Sequence, residues 1–550
     1  MNRRLLAVSF ALACAVLALA VPAAASAAFG PLTAFGGAGQ EAGQLNSAGS
    51  LAIASDGSVY VADFDNNRID VFGPENAFRF AFGEGVSLAG GNVCTSVSGC
   101  RAGQGSGDAG AMRQPASLAL GEDGNVYVAD EANNRIDVFT SDGAFVRAFG
   151  KRVDATGGGD VCTSATGCVV GMESEEAGGL QGPEGLDVVG STVYVADKFN
   201  NRIDVYGTDG TFRYTFGAEV NVDGADVCAT GETCKRGLEE DGAGEIGNPF
   251  DVKMTPSGLL AVSENINDRF ALFTPAGEFV RAMGREVDVE TAGDVCTLLS
   301  GCQVGARDGN VGSMSAPTAL AVDGAGDVFV ADTDNNRIDE WSPDGAFVKA
   351  FGAGVLDGAE SFEVCTAETG CLPGSATAEF PGAVPNPYGV AVDCQGGIWT
   401  TNVAHVRRVQ RFGEAGTPLP TACPASPEGT APTSGPASST STKSTPLVST
   451  PPNGVKFRKL KLNKKKGIGT LTITVPGPGR VVLSGKGLAK ATKTAKKAGL
   501  VVLPVKLVGK AKTKLAKVGK ARVRADVTFT PTGGTPGFRS KSLLLRKTSQ

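Results

Sequence analysis

Histidine is nearly absent from this chain: among 550 residues there is one, His405. A three-histidine zinc site is therefore impossible. A lone imidazole also leaves no Ser/His/Asp or Cys/His constellation, because the cysteines are all accounted for below. Aromatic residues make up only 6% of the chain. The basic C-terminal part has few of them and no tryptophan, so it offers little surface on which nucleic-acid bases could stack. Beyond the N-terminus no run is apolar enough to cross a membrane. The N-terminus itself carries Arg3 and Arg4, an apolar run over 5–21 and small residues over 23–28. It reads as a secretory signal peptide over 1–28. A lipid-attachment reading through Cys14 fits poorly, because Ala11-Leu12-Ala13 precedes it.

What the chain has in abundance is one repeated phrase. VYVADFDNNRIDVF (59–72) returns as VYVADEANNRIDVF (126–139), VYVADKFNNRIDVY (193–206) and VFVADTDNNRIDEW (328–341). A weaker copy, LAVSENINDRFALF, runs over 260–273, and a worn one, IWTTNVAHVRRVQRF, over 398–412. The equivalent residues Asp63, Asp130, Asp197, Glu264, Asp332 and Asn402 are spaced 67, 67, 67, 68 and 70 apart. A fixed period of this length marks a repeat architecture whose units bury their faces on one another. Each unit carries four strand signals, which in the first are SLAIA, SVYVAD, RIDVF and FRFAFG. They are rich in Val, Ile, Tyr and Phe and are separated by turn residues. Four antiparallel strands per unit, arranged radially, make a β-propeller blade. The expected class is all-β: a six-bladed propeller followed by a small basic β-sandwich.

The sixth unit lacks its outer strand, and a matching segment, PLTAFG (31–36), stands before the first unit. That segment is expected to complete the sixth blade and close the ring, which removes free sheet edges. In each unit an acid at the end of the second strand faces the Arg that opens the third. The expected pairs are Asp63 with Arg68, Asp130 with Arg135, Asp197 with Arg202, Glu264 with Arg269, and Asp332 with Arg337. A ring of arginines binding a ligand and a set of structural braces are both readings of this pattern. Its fivefold repetition favours the braces, since a site does not need the same pair five times.

Twelve cysteines remain after Cys14. Ten form C-x5-C pairs: Cys94 with Cys100, Cys162 with Cys168, Cys228 with Cys234, Cys296 with Cys302, and Cys365 with Cys371. The last two are Cys394 and Cys423. An even count in an exported chain reads as disulfides, and zinc fits neither the spacing nor the lack of histidine. Each C-x5-C lies in a glycine-rich insert of about 25 residues between blades. Strand direction puts the inserts and the Asn-Asn turns on one face, where five stapled loops are expected to form a raised rim over the central channel. Binding to a protein or glycan ligand and simple reinforcement are both open for that rim. Cys394 and Cys423 are expected to clasp the opposite face.

Charge divides the chain. Residues 29–414 carry 23 Lys+Arg against 55 Asp+Glu, whereas residues 415–550 carry 26 against 2. The segment 413–453, rich in Pro, Ser and Thr, reads as a flexible linker between a propeller over 29–412 and a β-domain over 454–550. The alternating runs of that domain suggest an immunoglobulin-like sandwich. Its lysines at 464–466, 486–497 and 506–520 suggest an anionic wall polymer or membrane surface as partner rather than nucleic acid. A solvated basic face, or docking on the acidic propeller, is the alternative.

The VYVAD..NNRI.VF phrase resembles the NHL repeat over nearly all of 29–412. One departure is that the family's usual Gln after NNRI is here Asp70, Asp137, Asp204 and Asp339. The resemblance implies a six-bladed propeller and, in related propellers, lyase or lactone-hydrolase activity at a channel metal. The His-dependent lyase pattern fails with one histidine. A Ca²⁺ site of carboxylates and amides stays open, since hard cations take oxygen ligands. No catalytic residue and no cofactor is assigned from the sequence. The expected role is secreted or cell-surface binding without catalysis, and a Ca²⁺-dependent lyase or lactone hydrolase is the alternative.

Overall fold

A computed structural model describes residues 28–402, 407–420, 456–463, 468–485, 487–532 and 537–547. The signal-peptide segment, His405 and Cys423 lie outside these residues. Six antiparallel sheets follow one another along the first four hundred residues. The first blade is built from Ala48–Ile53, Val59–Asp63, Arg68–Phe72, Phe78–Phe82 and Val93–Cys94. Alternation places Val59, Val61, Ile69 and Val71 in the interior. The turns expected at Asn-Asn are short 3-10 segments such as Phe64–Asn66, closed by a left-handed residue. Asn67, Asn134 and Asn201 take that conformation at φ 51°, 49° and 51°, which Asn tolerates better than most residues.

The sixth blade joins the two ends of the propeller. Pro387–Val392, Ile398–Asn402 and Arg408–Glu414 are completed by Phe29–Gly36, which pairs antiparallel with Arg408–Glu414. The expected closure is therefore the observed one. It extends to the packing between blades. Outer-strand rings meet third-strand rings of the next blade at Phe82–Phe139 and Phe149–Tyr206, both 5.1 Å apart, and at Phe216–Phe273, 5.5 Å. Phe35 makes the same contact with Phe72 at 4.5 Å. The closing strand thus supplies both the hydrogen bonds and the aromatic wedge that its blade lacks.

One expectation needs correction. The stapled inserts do not rise as a rim over the channel. In blades one to five the first cysteine of each pair lies on a short fifth strand at the outer edge, as where Cys94 pairs with Ala81. Both sulfurs are buried against that edge, beside Ala81, Val86 and Phe78 in blade one. An outer strand leaves a row of unpaired backbone groups, and the insert begins at that edge, so folding back onto it satisfies them at once. Only after the staple does the insert cross the face, where Gly103 N–H donates to Asn66 O at 2.8 Å.

The C-terminal part forms a three-stranded sheet (Lys456–Asn463, Ile468–Val475, Gly499–Val505) and a four-stranded sheet (Ala491–Ala495, Gly479–Ser484, Lys520–Pro531, Gly537–Arg546). Leu471, Ile473 and Leu503 of the first meet Val481, Leu483, Val527 and Phe529 of the second in one core. The helix Gly509–Val518 was not expected. Its Lys, Ala and Leu are good helix formers, and Gly519 ends it at φ 71°. Leu515 is its one buried residue. No helix among the described residues is long and apolar enough to span a membrane.

Candidate ligand-binding site

The arginines that repeat in blades one to five are fully buried and committed. Arg68 Nε lies 2.8 Å from Asp70 Oδ2 and 3.3 Å from Asp63 Oδ2. Its remaining donors reach the carbonyls of Gln40, Glu41 and Gln44 in the preceding loop and of Arg101 in the following insert. Arg135, Arg202, Arg269 and Arg337 repeat this pattern, with Asp130, Asp197, Glu264 and Asp332 at 3.3, 3.1, 2.8 and 3.1 Å. Each guanidinium therefore ties its own hairpin to the loops on both sides, and none faces solvent. Asp70, Asp137, Asp204 and Asp339, at the position where the repeat family has Gln, add a second buried carboxylate. In blade six the residue there is Gln410, whose amide bonds Gly382 N and Ala383 O. In blade four it is Ala271.

The five C-x5-C pairs are bonded at the blade edges. Cys394 lies in a turn of blade six, and its expected partner Cys423 falls outside the described residues. The chain keeps contact with the propeller into the expected linker. Arg411, held by Asp393 at 2.8 Å, donates to the carbonyls of Thr417 and Pro418.

The central channel holds what the repeat reading passed over. The inner strands line it, and at the residue after the leading Pro or Ala they present Gly49, Ala116, Glu184, Phe250, Thr318 and Tyr388. Phe250 and Tyr388 meet edge to face at 6.3 Å within it. The cavity left among Ser50, Ser117, Glu184, Asp251, Thr318 and Tyr388 has room for about one water molecule. Ser117 Oγ, buried there, has no hydrogen-bond partner.

Above these rings sit Glu131 and Lys198, each the first residue of its blade's 3-10 turn. Lys198 Nζ is 3.0 Å from Glu184 Oε2 and 3.6 Å from Glu131 Oε1. It also lies 4.3 Å from the centre of the Phe250 ring and 5.2 Å from that of Phe199. The Tyr388 hydroxyl donates to Glu184 Oε1. Burial, reinforced by the charge of Glu184, pushes the Glu131 carboxyl up to about 7, although Lys198 opposes this. Phe199 stays 44% exposed beside the cluster.

Lower in the channel Lys253 Nζ is 2.8 Å from Asp251 Oδ1 and donates to Leu186 O. Asp187 accepts from Met254 N and Val188 N. The channel carboxylates are thus engaged by lysines, a tyrosine and backbone amides. Among the described residues no three His, Cys, Asp or Glu side chains converge as metal ligands. This donor set does not fit a channel Ca²⁺ held by several carboxylates.

A six-bladed β-propeller with a charged, aromatic mouth is what these features define. Residues 45–72 and 112–139 match the NHL repeat, and the chain is a propeller carrying NHL repeats, with C-x5-C disulfides at its blade edges. No curated protein matches the sequence. Among solved structures, a streptogramin B lyase is similar at 10% identity and a TM-score of 0.39, covering 70% of this chain and 98% of that one. An auxiliary nutrient binding protein from Bacteroides thetaiotaomicron gives 11%, 0.37, 67% and 69%. A gluconolactonase from Xanthomonas campestris gives 10%, 0.35, 70% and 97%. Similarity this low carries nothing about activity.

Glu131, Glu184, Lys198, Phe250 and Tyr388 escaped the sequence reading because they are departures from the repeat. The corresponding positions hold Phe64, Asn265 and Thr333 on the turns, and Gly49, Ala116 and Thr318 on the inner strands. Charge or bulk appearing at one repeat position, in a few blades only, was the signal available.

Proposed function

We propose that this protein is a non-catalytic binding propeller that works outside the cytosol and presents its insert face to a protein or glycan ligand. The observation that carries this reading is the convergence of the non-repeating residues Glu131, Glu184, Lys198, Phe199, Phe250 and Tyr388 at the mouth of the channel. The buried disulfides fit an oxidising compartment, and the signal-like N-terminus supports secretion or display at the cell surface. The basic module would then meet an anionic wall polymer or membrane. In its helix Lys510, Lys512, Lys514 and Lys517 are exposed and no acid offsets them.

The test is to probe glycan and protein arrays with the full-length protein and with its Phe199→Ala variant. Ligands should be retained by the first and lost by the second. Hits other than polyanions that are all indifferent to Phe199, or metal-dependent turnover of a lactone by the wild type, would overturn the reading. For the basic module, binding of the full chain to anionic vesicles should fall as salt rises, because exposed charges are screened over about 10 Å at 0.1 M.

A further inference from the structure

We infer that the mouth recognises a primary ammonium group, an assignment that rests on the binding reading above and gives it a ligand chemistry. Lys198 already shows which group this environment satisfies. Its –CH2–NH3⁺ is held by two carboxylates, Glu184 at 3.0 Å and Glu131 at 3.6 Å, over the rings of Phe250 and Phe199. Carboxylates and ring faces are the partners a desolvated ammonium needs.

The cluster still lacks positive charge. Two carboxylates share one ammonium, and Glu131 has the poorer part of it, a single partner at 3.6 Å. The groups facing Glu131 are Glu184 and Lys198, with the Tyr388 hydroxyl beyond, already given to Glu184. An anion would meet two carboxylates and find both the lysine and the hydroxyl taken. A second ammonium would meet Glu131 and the open ring of Phe199. Just below, the small cavity holds the orphaned Ser117 Oγ, whose lone pairs are free to accept from an ammonium. The excess of acids on the propeller would draw cations toward it.

A lysine side chain of a protein and an amino sugar of a glycan both carry this group, and the experiment separates them. Full-length protein is titrated by calorimetry with Nα-acetyl-lysine methylamide and with glucosamine. Their N-acetylated forms, Nα,Nε-diacetyl-lysine methylamide and N-acetylglucosamine, serve as neutral controls. At least one amine should bind, and its acetylated control should not. The ligand charge favours ionised Glu131, so binding near pH 7 should release protons. Affinity for the lysine probe should rise from pH 5.5 to a plateau near pH 8.

Glu131→Gln, checked for unchanged melting, should lower affinity about five- to tenfold, or roughly 1 kcal/mol, and flatten the pH profile. Equal binding of amines and acetylated controls would overturn the ammonium assignment. So would a Glu131→Gln variant with unaltered affinity and pH profile. If neither amine binds while array ligands still depend on Phe199, the ammonium assignment falls and the binding reading stands. If all array ligands other than polyanions ignore Phe199, the binding reading itself fails.

Discussion

Replacing Asp339 by Asn in blade five should stabilise the propeller above pH 6, whereas replacing Asp332, its neighbour on the same arginine, should destabilise it. Both carboxyls are completely buried, yet their surroundings differ. Asp332 accepts from Ser315 N at 2.7 Å, Asn335 Nδ2 at 2.8 Å and Arg337 Nε at 3.1 Å. Asp339 has Arg337 Nε 2.8 Å from Oδ1, but out of line for a hydrogen bond, and one long bond of 3.4 Å from Arg337 Nη2. One guanidinium cannot neutralise two buried carboxylates, so the pair retains a proton above the usual carboxylate range, and Asp339 is the poorer host for a charge. Burial raises both carboxyls, Asp339 to about 6 and Asp332 well above the ordinary value near 3.8, so the two share the proton, and the fuller set of donors around Asp332 is what makes Asp339 the one to replace.

A carboxyl raised in the folded state stabilises most below its unfolded value, and that contribution is lost as pH rises from about 3.8 to about 6. Two pH units correspond to roughly 3 kcal/mol. Asp339→Asn cannot ionise and should recover up to about 2–3 kcal/mol of this at pH 8, with little difference from wild type near pH 4. Blades six and four point the same way, with Gln410 and Ala271 at this position. Asp332→Asn sets an NH2 against donors and should cost about 1–3 kcal/mol. Urea denaturation followed by tryptophan fluorescence reads the propeller alone, since Trp341 and Trp399 both lie in it. A loss of stability at pH 8 in Asp339→Asn comparable to that in Asp332→Asn would refute the argument.

Two further outcomes follow from the architecture. Deleting residues 29–36 should bare the Arg408–Glu414 edge and remove the Phe35–Phe72 contact, which size-exclusion chromatography would read as oligomers or aggregate; a monomer with unchanged melting would contradict the closure. Replacing Cys296 and Cys302 together by Ala should lower stability by roughly 2–2.5 kcal/mol in the chain-entropy account while leaving the other blades intact, which limited proteolysis confined to residues 284–316 would show.

The propeller was legible in the sequence because its period is fixed and its strands alternate cleanly, so each copy corroborates the next. The acid–arginine pairs were legible for a related reason, since the two residues stand at a constant offset across a turn. The fifth strands were not. Val93–Cys94 and Val295–Cys296 are two residues long, too short to show a period, and what places them is the unpaired edge beside them. The helix Gly509–Val518 was hidden because its lysines read as surface charge, with Leu515 alone to mark a buried side. The mouth was missed for a deeper reason. A repeat is read by what its copies share, and the mouth is built from what they do not share.

The pairing of Phe29–Gly36 with Arg408–Glu414 has a consequence for how the protein comes into being. The first strand of the ring to leave the ribosome is the last to find its partner, which lies some 380 residues later in the chain. Until then blades one to five can form locally, each from hairpins of short contour, while this strand waits unpaired. Closing so long a loop adds chain entropy only slowly, as the logarithm of its length, so what it delays is timing more than stability. Once joined, the circle has no terminal unit from which to fray, unlike an open solenoid. Opening it should begin at this one seam, and the resistance of the whole propeller to heat, to proteases or to force would be set there.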